Sequence, residues 1–398
     1  MEIMANDSLG SDECLTWRIR GELKLQYDVI EAPNLLDVDS RILEDIGRED
    51  TQKERRSLLV ADRQVFKLHG DNITRYFIGR GIKFQLTVID ISESTKNLDT
   101  VRSILNSMIE FGIARRCEPV IVFGGGCLMD LVGLAAGLYR RKVPYVRVPT
   151  TLLGIVDAAI GVKTGCNFGE HKNRIGSYYP PVAALLNRSF LRTLPDRHIR
   201  NGLAEILKMG IVADEQLFAL LETHCEALVQ ERLAESRPAA EVIRLAVQSM
   251  LVQLEPNLWE TDLRRIVDFG HGFSPIFEMK ALDELLHGEA VAVDMCICTV
   301  IAANRKLLAW PMAMRILELV VRMGLPVTHP SCTAENFRDA LLDASRHRGG
   351  RQSIPVPSAI GRAVFLDDIG VAECLSACAF IESFVGRGED IAASGAGR

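Results

Sequence analysis

The sequence predicts an α/β protein of two domains: an N-terminal domain on an open, mostly parallel sheet and an all-α C-terminal domain. Three observations predict it. Short β-rich runs alternate with helical ones from Leu23 to about Pro195; a glycine-rich turn joins one of those strands to a helix; beyond Pro195 the apolar spacing is helical throughout.

YDVI, RSLLVAD, FQLTVID, PVIVFGG and YVRVPT are the strand candidates, several of them ending in turn residues. TVRSILNSMIEFGIA and LMDLVGLAAGLY carry apolar residues three and four apart and read as helices. Strands alternating with helices imply a parallel sheet covered on both faces, with ligands at the carboxyl ends of its strands. RNGLAEILKMGIV, EQLFALLETHCEALVQERL, AAEVIRLAVQSMLVQL and EAVAVDMCICTVIAANRKLLA are helical by period. The boundary falls near residue 190, giving domains over 17–190 and 191–385. The polar ends, 1–16 and 386–398, are expected to be disordered.

With 398 residues, 48% hydrophobic and 25% charged, the chain has the profile of a soluble globular protein. A net charge of −6 argues against a nucleic-acid partner. No apolar run is long enough to span a bilayer, and the acidic first residues carry no leader pattern, so a cytoplasmic protein is expected. The 10 cysteines lack zinc-ribbon spacing and read as reduced thiols.

Val120–Asp130 (VIVFGGGCLMD) is a buried strand, a glycine turn and a helix start. Such a turn lets backbone approach a pyrophosphate, and the helix N-terminus offers free N–H groups. It is not the common GxGxxG pattern. The longer run that this turn opens is more specific. GGGCLMDLVGLAAGLYRRKVPYVRVPTTLLGIVDAAIGVKTGCNFGEHKNRIGSYYPP, then LRTLPDRHIRNGLAEILKMG, LRRIVDFGH and LLHGEAVAV, resemble in order the signature of the dehydroquinate synthase superfamily of sugar phosphate cyclases. The resemblance runs over roughly residues 55 to 300. It implies an NAD-binding α/β domain, a helical metal-binding domain, an active site between them, and a homodimer.

The resemblance assigns Glu205, His271 and His287 to a divalent metal. Two imidazoles and a carboxylate suit Zn or Co acting as a Lewis acid. It assigns Asp62, Glu93 and Lys96 to the adenosine end of NAD, and Gly124, Gly125, Gly126 and Asp130 to the pyrophosphate. Thr150, Thr151, Asp157, Lys172, Thr193 and Leu194 line the rest of the cofactor site. Around the sugar phosphate it places Arg141, Lys163, Asn173, Lys208 and Arg264, with Lys163, Lys208 and Arg264 in the catalytic group. Clustered Lys and Arg suit a dianionic phosphate, and Arg141 is expected to act across a dimer interface.

Four positions depart from the dehydroquinate synthase pattern. Met250 stands for a lysine, Pro275 for a histidine, Asp268 for an asparagine, and a late lysine is replaced near His347. Fewer cations and one added carboxylate disfavour a carboxylated substrate. The pattern resembles the sedoheptulose 7-phosphate cyclases, most closely the branch making 2-epi-5-epi-valiolone for seven-carbon aminocyclitols. That branch oxidises its substrate transiently with NAD, eliminates phosphate, returns the hydride and closes the ring by an aldol addition. Dehydroquinate synthase, the desmethyl-4-deoxygadusol type of cyclase and 2-deoxy-scyllo-inosose synthase remain as alternatives. So do an iron-type alcohol dehydrogenase and a non-catalytic binding module.

Overall fold

The computed structural model describes residues 17–21, 25–47, 55–282 and 284–395. The expected tail over 1–16 lies outside these residues. In chain order the first half holds β1 (Asp28–Glu31), α1 (Ile42–Asp45), β2 (Arg56–Asp62), α2 (Arg63–Gly79), β3 (Lys83–Ile89), α3 (Leu98–Phe111), β4 (Val120–Gly124), α4 (Gly126–Leu138) and β5 (Tyr145–Pro149). A π-helical turn (Gly154–Ala158), the antiparallel pair β6 (Lys163–Phe168) and β7 (His171–Tyr178), and β8 (Ala183–Leu186) complete it.

Six strands form one parallel sheet in the order β1-β8-β5-β4-β2-β3. Alternation along the strands divides the core. Leu58, Val60, Val120 and Val122 face one side, with α3 and α4; Leu59, Ala61, Ile121 and Phe123 face the other, with α1 and α2. The first of these cores continues without a break into the helical half.

That half contains α5 (Asp196–Val212), α6 (Glu215–Gln230), α7 (Arg237–Leu254), α8 (Ser274–Lys280), α9 (His287–Asn304), α10 (Trp310–Arg322) and α11 (Ala334–His347). The strands β9 (Ile354–Ala359) and β10 (Arg362–Leu366) come next, and the helix α12 (Val371–Gly395) closes the fold. Helix α9 is buried on every side, which is why its sequence is apolar all round; α5 and α12 pack against it.

Two local expectations are corrected. The C-terminal half is helical but not all-α, because β9 and β10 form a hairpin turned by Gly361 (φ 75°). Its period-two pattern is too short to stand out between long helical patterns. Helix α12 runs past Gly386 to Gly395, where a disordered tail was expected. Once nucleated, a helix gains one hydrogen bond per added residue, so Gly386 and Gly388 weaken it without stopping it.

Candidate metal and cofactor site

Glu205, His271 and His287 come from three separate elements and converge. Their ligand atoms all lie within 4.8 Å of one another. Glu205 Oε1 is 3.6 Å from His271 Nε2 and 3.4 Å from His287 Nε2.

Local packing explains the convergence. Asn201, one turn before Glu205 on α5, accepts from Gly288 N at 2.6 Å. A Cβ on Gly288 would sit 2.0 Å from Asn201 O, so only glycine lets α9 come this close, and His287 is its neighbour. Gly270 (φ 76°) fits against Met295 and Val291 of α9, where a Cβ would be 2.8 Å from each, and presents His271.

These residues fit a divalent cation. Both Glu205 oxygens are buried without a hydrogen-bond donor in bonding geometry, even though the Lys208 ammonium lies against them. His271 Nδ1 is 3.1 Å from Phe269 O, so that nitrogen carries the proton and Nε2 offers its lone pair to the cluster. His287 Nδ1 is 3.0 Å from Glu278 Oε2, a carboxylate–histidine pairing typical of metal sites.

Charge within the cluster is divided unevenly between the two imidazoles. Burial works against ionised Glu205, yet Lys208 and the two histidines hold it well below the usual carboxylate range. Burial and Lys208 push His271 down to about 3, keeping its imidazole neutral. For His287, burial and Lys172 pull down, but Glu278 and Glu205 outweigh them and lift it to about 9. Burial opposes charge on Lys208 as well, but Glu205 and Asp157 raise it, so it is a fixed cation.

The carboxyl edge of the sheet carries the expected cofactor residues. Asp62 ends β2, Gly124 ends β4, and Thr150 and Thr151 come directly after β5. Thr150 N donates to Gly124 O at 3.0 Å, and Thr151 Oγ1 accepts from Gly154 N at 3.0 Å. A Cβ on Gly125 would lie 3.1 Å from Thr151, and one on Gly126 would lie 3.1 Å from Ala158, so the first glycine lets the segment after β5 approach and the second lets the π turn pack against α4. Thr193 Oγ1 is 2.9 Å from His69 Nε2, and Leu194 packs, partly buried, on the core nearby.

Other side chains are spent differently than the sequence predicts. Asp62 Oδ1 caps α2, accepting from Gln64 N at 2.7 Å. Lys96 is buried and bonds Asp130 at 2.6 Å and Asn173 Oδ1 at 2.7 Å. The Lys96–Asp130 ion pair is withdrawn from water and ties α4 to the segment that carries Asn173. Glu93 is held by Asn167 Nδ2 at 2.8 Å and the Cys127 thiol at 3.0 Å. Lys172, expected at the cofactor, lies against Glu278 and 3.0 Å from His287 Nδ1, beside the Glu205–His271–His287 cluster. Asp157 also belongs here; burial and the neighbouring Glu205 raise its carboxyl above the ordinary value.

The substrate side shows the largest corrections. Arg264 is exposed and its guanidinium lies over the Phe365 ring, 4.9 Å from the centroid. Arg265 turns inward, to Glu260 and Asp268. Its backbone is extended (φ −117°, ψ 125°), and consecutive side chains on extended backbone point opposite ways. His347 is exposed at the end of α11, while its neighbour Arg348 reaches Asp268 at 3.0 Å. Asp268 is therefore neutralised by two guanidiniums and does not act as a free repelling charge.

Met250 is 2% exposed within the core. Pro275 sits in the first turn of α8, where a missing N–H costs nothing. Arg141 is exposed in a turn whose residues Arg140, Arg141 and Lys142 all have positive φ. Lys163 touches Glu260, yet its side chain keeps 57% exposure. Sequence reasoning missed Glu260, Arg265, Glu278 and Arg348; only Glu278, seven residues after His271 on the same motif, left a local signal.

A parallel sheet with a glycine turn at its carboxyl edge and a buried Glu-His-His set able to hold a cation define a protein of the two-part, nucleotide-binding α/β class. The chain belongs to the 3-dehydroquinate synthase family: the N-terminal family description matches residues 86–201 and the C-terminal one residues 202–346. It is 46% identical to a 2-epi-5-epi-valiolone synthase of Actinomyces sp, over 94% of this chain and 99% of that one. It is 49% identical to the enzyme of that name from Streptomyces hygroscopicus subsp. jinggangensis, over 89% and 86%. The solved structure of ValA, a 2-epi-5-epi-valiolone synthase from that organism with NAD+ and Zn2+ bound, superimposes with a TM-score of 0.89 at 47% identity, covering 92% of this chain and 99% of that one.

Proposed function

We propose that this enzyme converts sedoheptulose 7-phosphate to 2-epi-5-epi-valiolone and phosphate, as a carbon–oxygen lyase acting in the cytoplasm as a homodimer. The observation that carries the reading is the charge pairing around Asp268. Arg265 and Arg348 are both engaged by that carboxylate, and Glu260 takes Arg265 and Lys163. A substrate carboxylate would find no unpaired guanidinium there, whereas an uncharged hydroxymethyl group needs none. The near-full-length similarity to 2-epi-5-epi-valiolone synthases supports the same substrate. Among the described residues no helix is long and apolar enough to cross a membrane.

Glu205, His271 and His287 would hold the metal, Zn or Co by the chemistry of the donors. The glycine turn Gly124–Gly126, the N-terminus of α4 and Thr150, Thr151, Thr193 and Leu194 would hold NAD. When bound, NAD supplies a hydride acceptor that returns what it takes, and the metal a Lewis acid beside it. Lys208 keeps a permanent cation at the metal face, where negative charge develops on a substrate oxygen. Lys163, whose ammonium is pulled down to about 8 by burial and Arg265, is still largely cationic near neutrality and would orient the phosphate with Asn173 by leaving its Glu260 partner. Arg141 on its exposed turn is offered to a partner subunit's site.

The test is phosphate release by metal-loaded protein with NAD, comparing sedoheptulose 7-phosphate with the dehydroquinate synthase substrate. Heptulose turnover without net NADH is expected. Turnover of the carboxylated substrate alone would overturn the assignment.

A further inference from the structure

Arg147 occupies the centre of β5, between Val146 and Val148, and its side chain is fully buried at 0% exposure. Alternation turns it to the same face as Tyr145, which lies in the core shared with the helical half. An apolar residue is expected there. Among the described residues no carboxylate pairs with this guanidinium.

Its two Nη groups donate to main-chain oxygens of one short segment, while Nε is buried without a partner. Nη1 donates to Ala158 O at 3.1 Å, Ala159 O at 3.5 Å and Gly161 O at 2.5 Å; Nη2 donates to Lys163 O at 2.9 Å. The two carbonyls it leaves are also taken: Ile160 O by the Tyr27 hydroxyl at 2.6 Å, and Val162 O by Tyr179 N at 2.8 Å. Every carbonyl from Ala158 to Lys163 is thus held, although the segment runs from the last residue of the π turn to the first of β6 and only Lys163 belongs to a strand ladder.

A buried cation without a counter-ion is an expensive way to fill a core, and a well-packed apolar side chain is usually cheaper. What the guanidinium supplies is a planar fork of donors able to gather several carbonyls at once. The gathered segment has Asp157 immediately before it and Lys163 at its end. Asp157 is electrostatically coupled to Glu205, Lys208, His287 and Lys163.

We infer that Arg147 is a positioning residue: by clamping the carbonyls of residues 158–163 it fixes Asp157 and Lys163 relative to the Glu205–His271–His287 cluster. The inference rests on the cyclase reading for the roles of those two side chains. It goes beyond that reading in assigning their geometry to a residue that reaches neither substrate nor metal.

The experiment uses Arg147→Met, with Arg147→Gln as a second variant that keeps one donor group and serves if the first does not fold. Metal content is expected to match wild type, since Glu205, His271 and His287 lie on other elements, and the Kd for NAD to change little, since Gly124–Gly126, Thr150 and Thr151 lie outside the clamped segment. The melting temperature is expected to fall by a few degrees, because the four main-chain carbonyls that Arg147 holds lose their donors. The kcat for sedoheptulose 7-phosphate is expected to fall on the order of 100-fold, the scale of a misplaced catalytic geometry.

Wild-type kcat in a folded variant would overturn the proposal. So would parallel loss of metal, NAD and activity, which marks general unfolding of the site. If wild type itself releases no phosphate from the heptulose, the cyclase reading fails separately. The clamp is then read from amide hydrogen exchange across residues 158–163, which must accelerate in the variants; unchanged exchange would refute it.

Discussion

Glu278 Oε2 lies 3.0 Å from Nδ1 of His287, on the ring edge opposite the one that faces Glu205. Nothing in the Glu-His-His set by itself demands this carboxylate, yet it fixes the tautomer and the ring plane of one ligand. Glu278→Ala is expected to weaken metal affinity about 10- to 100-fold, the usual effect of losing such a partner. Chelator competition followed by elemental analysis checks it. Affinity equal to wild type would make Glu278 a partner of Lys172 only.

Glu205 and Lys208 form a buried pair, at 0% and 3% side-chain exposure. Glu205→Gln strands the ammonium and is expected to cost about 3–5 kcal/mol. The double variant Glu205→Gln, Lys208→Met should regain most of that stability while still binding no metal. Denaturant unfolding and metal content together separate the two effects. A double variant as unstable as the single one would show that the pair is not the source of the loss.

Asp268 gives a pH signature. Burial alone would raise its carboxyl, but Arg265, Lys163 and Arg348 outweigh burial and hold it below the ordinary 3.8. A folded-state value below the unfolded one contributes stability that is present above 3.8 and lost as pH falls through the lower folded value. Asp268→Asn forfeits that contribution at every pH, about 3 kcal/mol near neutrality. The gap between wild type and variant should therefore narrow in acid. Urea unfolding at several values between about pH 7 and pH 3 reads it directly, and a constant gap would contradict the assignment.

Met250→Lys is the substitution that would restore the dehydroquinate synthase pattern. At 2% exposure the position offers a lysine no solvent. The expected result is a stability loss of several kcal/mol, with no gain of turnover on a carboxylated substrate. A stable, carboxylate-accepting variant would mean that the site can open at this helix.

Much of the fold was legible because each half has its own period. The five strand candidates all fall on sheet strands, and each helical run from residue 200 onward overlaps a helix. The elements without a legible pattern are β8 and the two hairpins, β6–β7 and β9–β10. β8 has four residues, and the β9–β10 hairpin pairs strands of six and five residues between long helices; neither is long enough for a pattern to outweigh its neighbours.

For the site, sequence motifs named the residues but not their pairing. Arg264 and Arg265 are adjacent and chemically identical, and only backbone direction decides which one turns inward. Lys96, Asp130 and Lys172 stand in motifs that suggest ligand contact, yet the structure pairs Lys96 with Asp130 and Asn173, and Lys172 with Glu278. Arg147 carries no motif at all, and its importance is visible only as a set of carbonyls at hydrogen-bond distance.

The sequence by itself determined the α/β architecture, the glycine turn and the membership in the 3-dehydroquinate synthase family, and it named Glu205, His271 and His287, which the fold brings together. These rest on local period and on ordered motifs, which survive without knowledge of contacts. Only the tertiary structure decided which charges are neutralised, which arginine faces the cleft, and how α5 and α9 approach closely enough to join ligands 66 and 16 residues apart. Charge pairing depends on distances between groups far apart in the chain, and no spacing rule in one dimension encodes them.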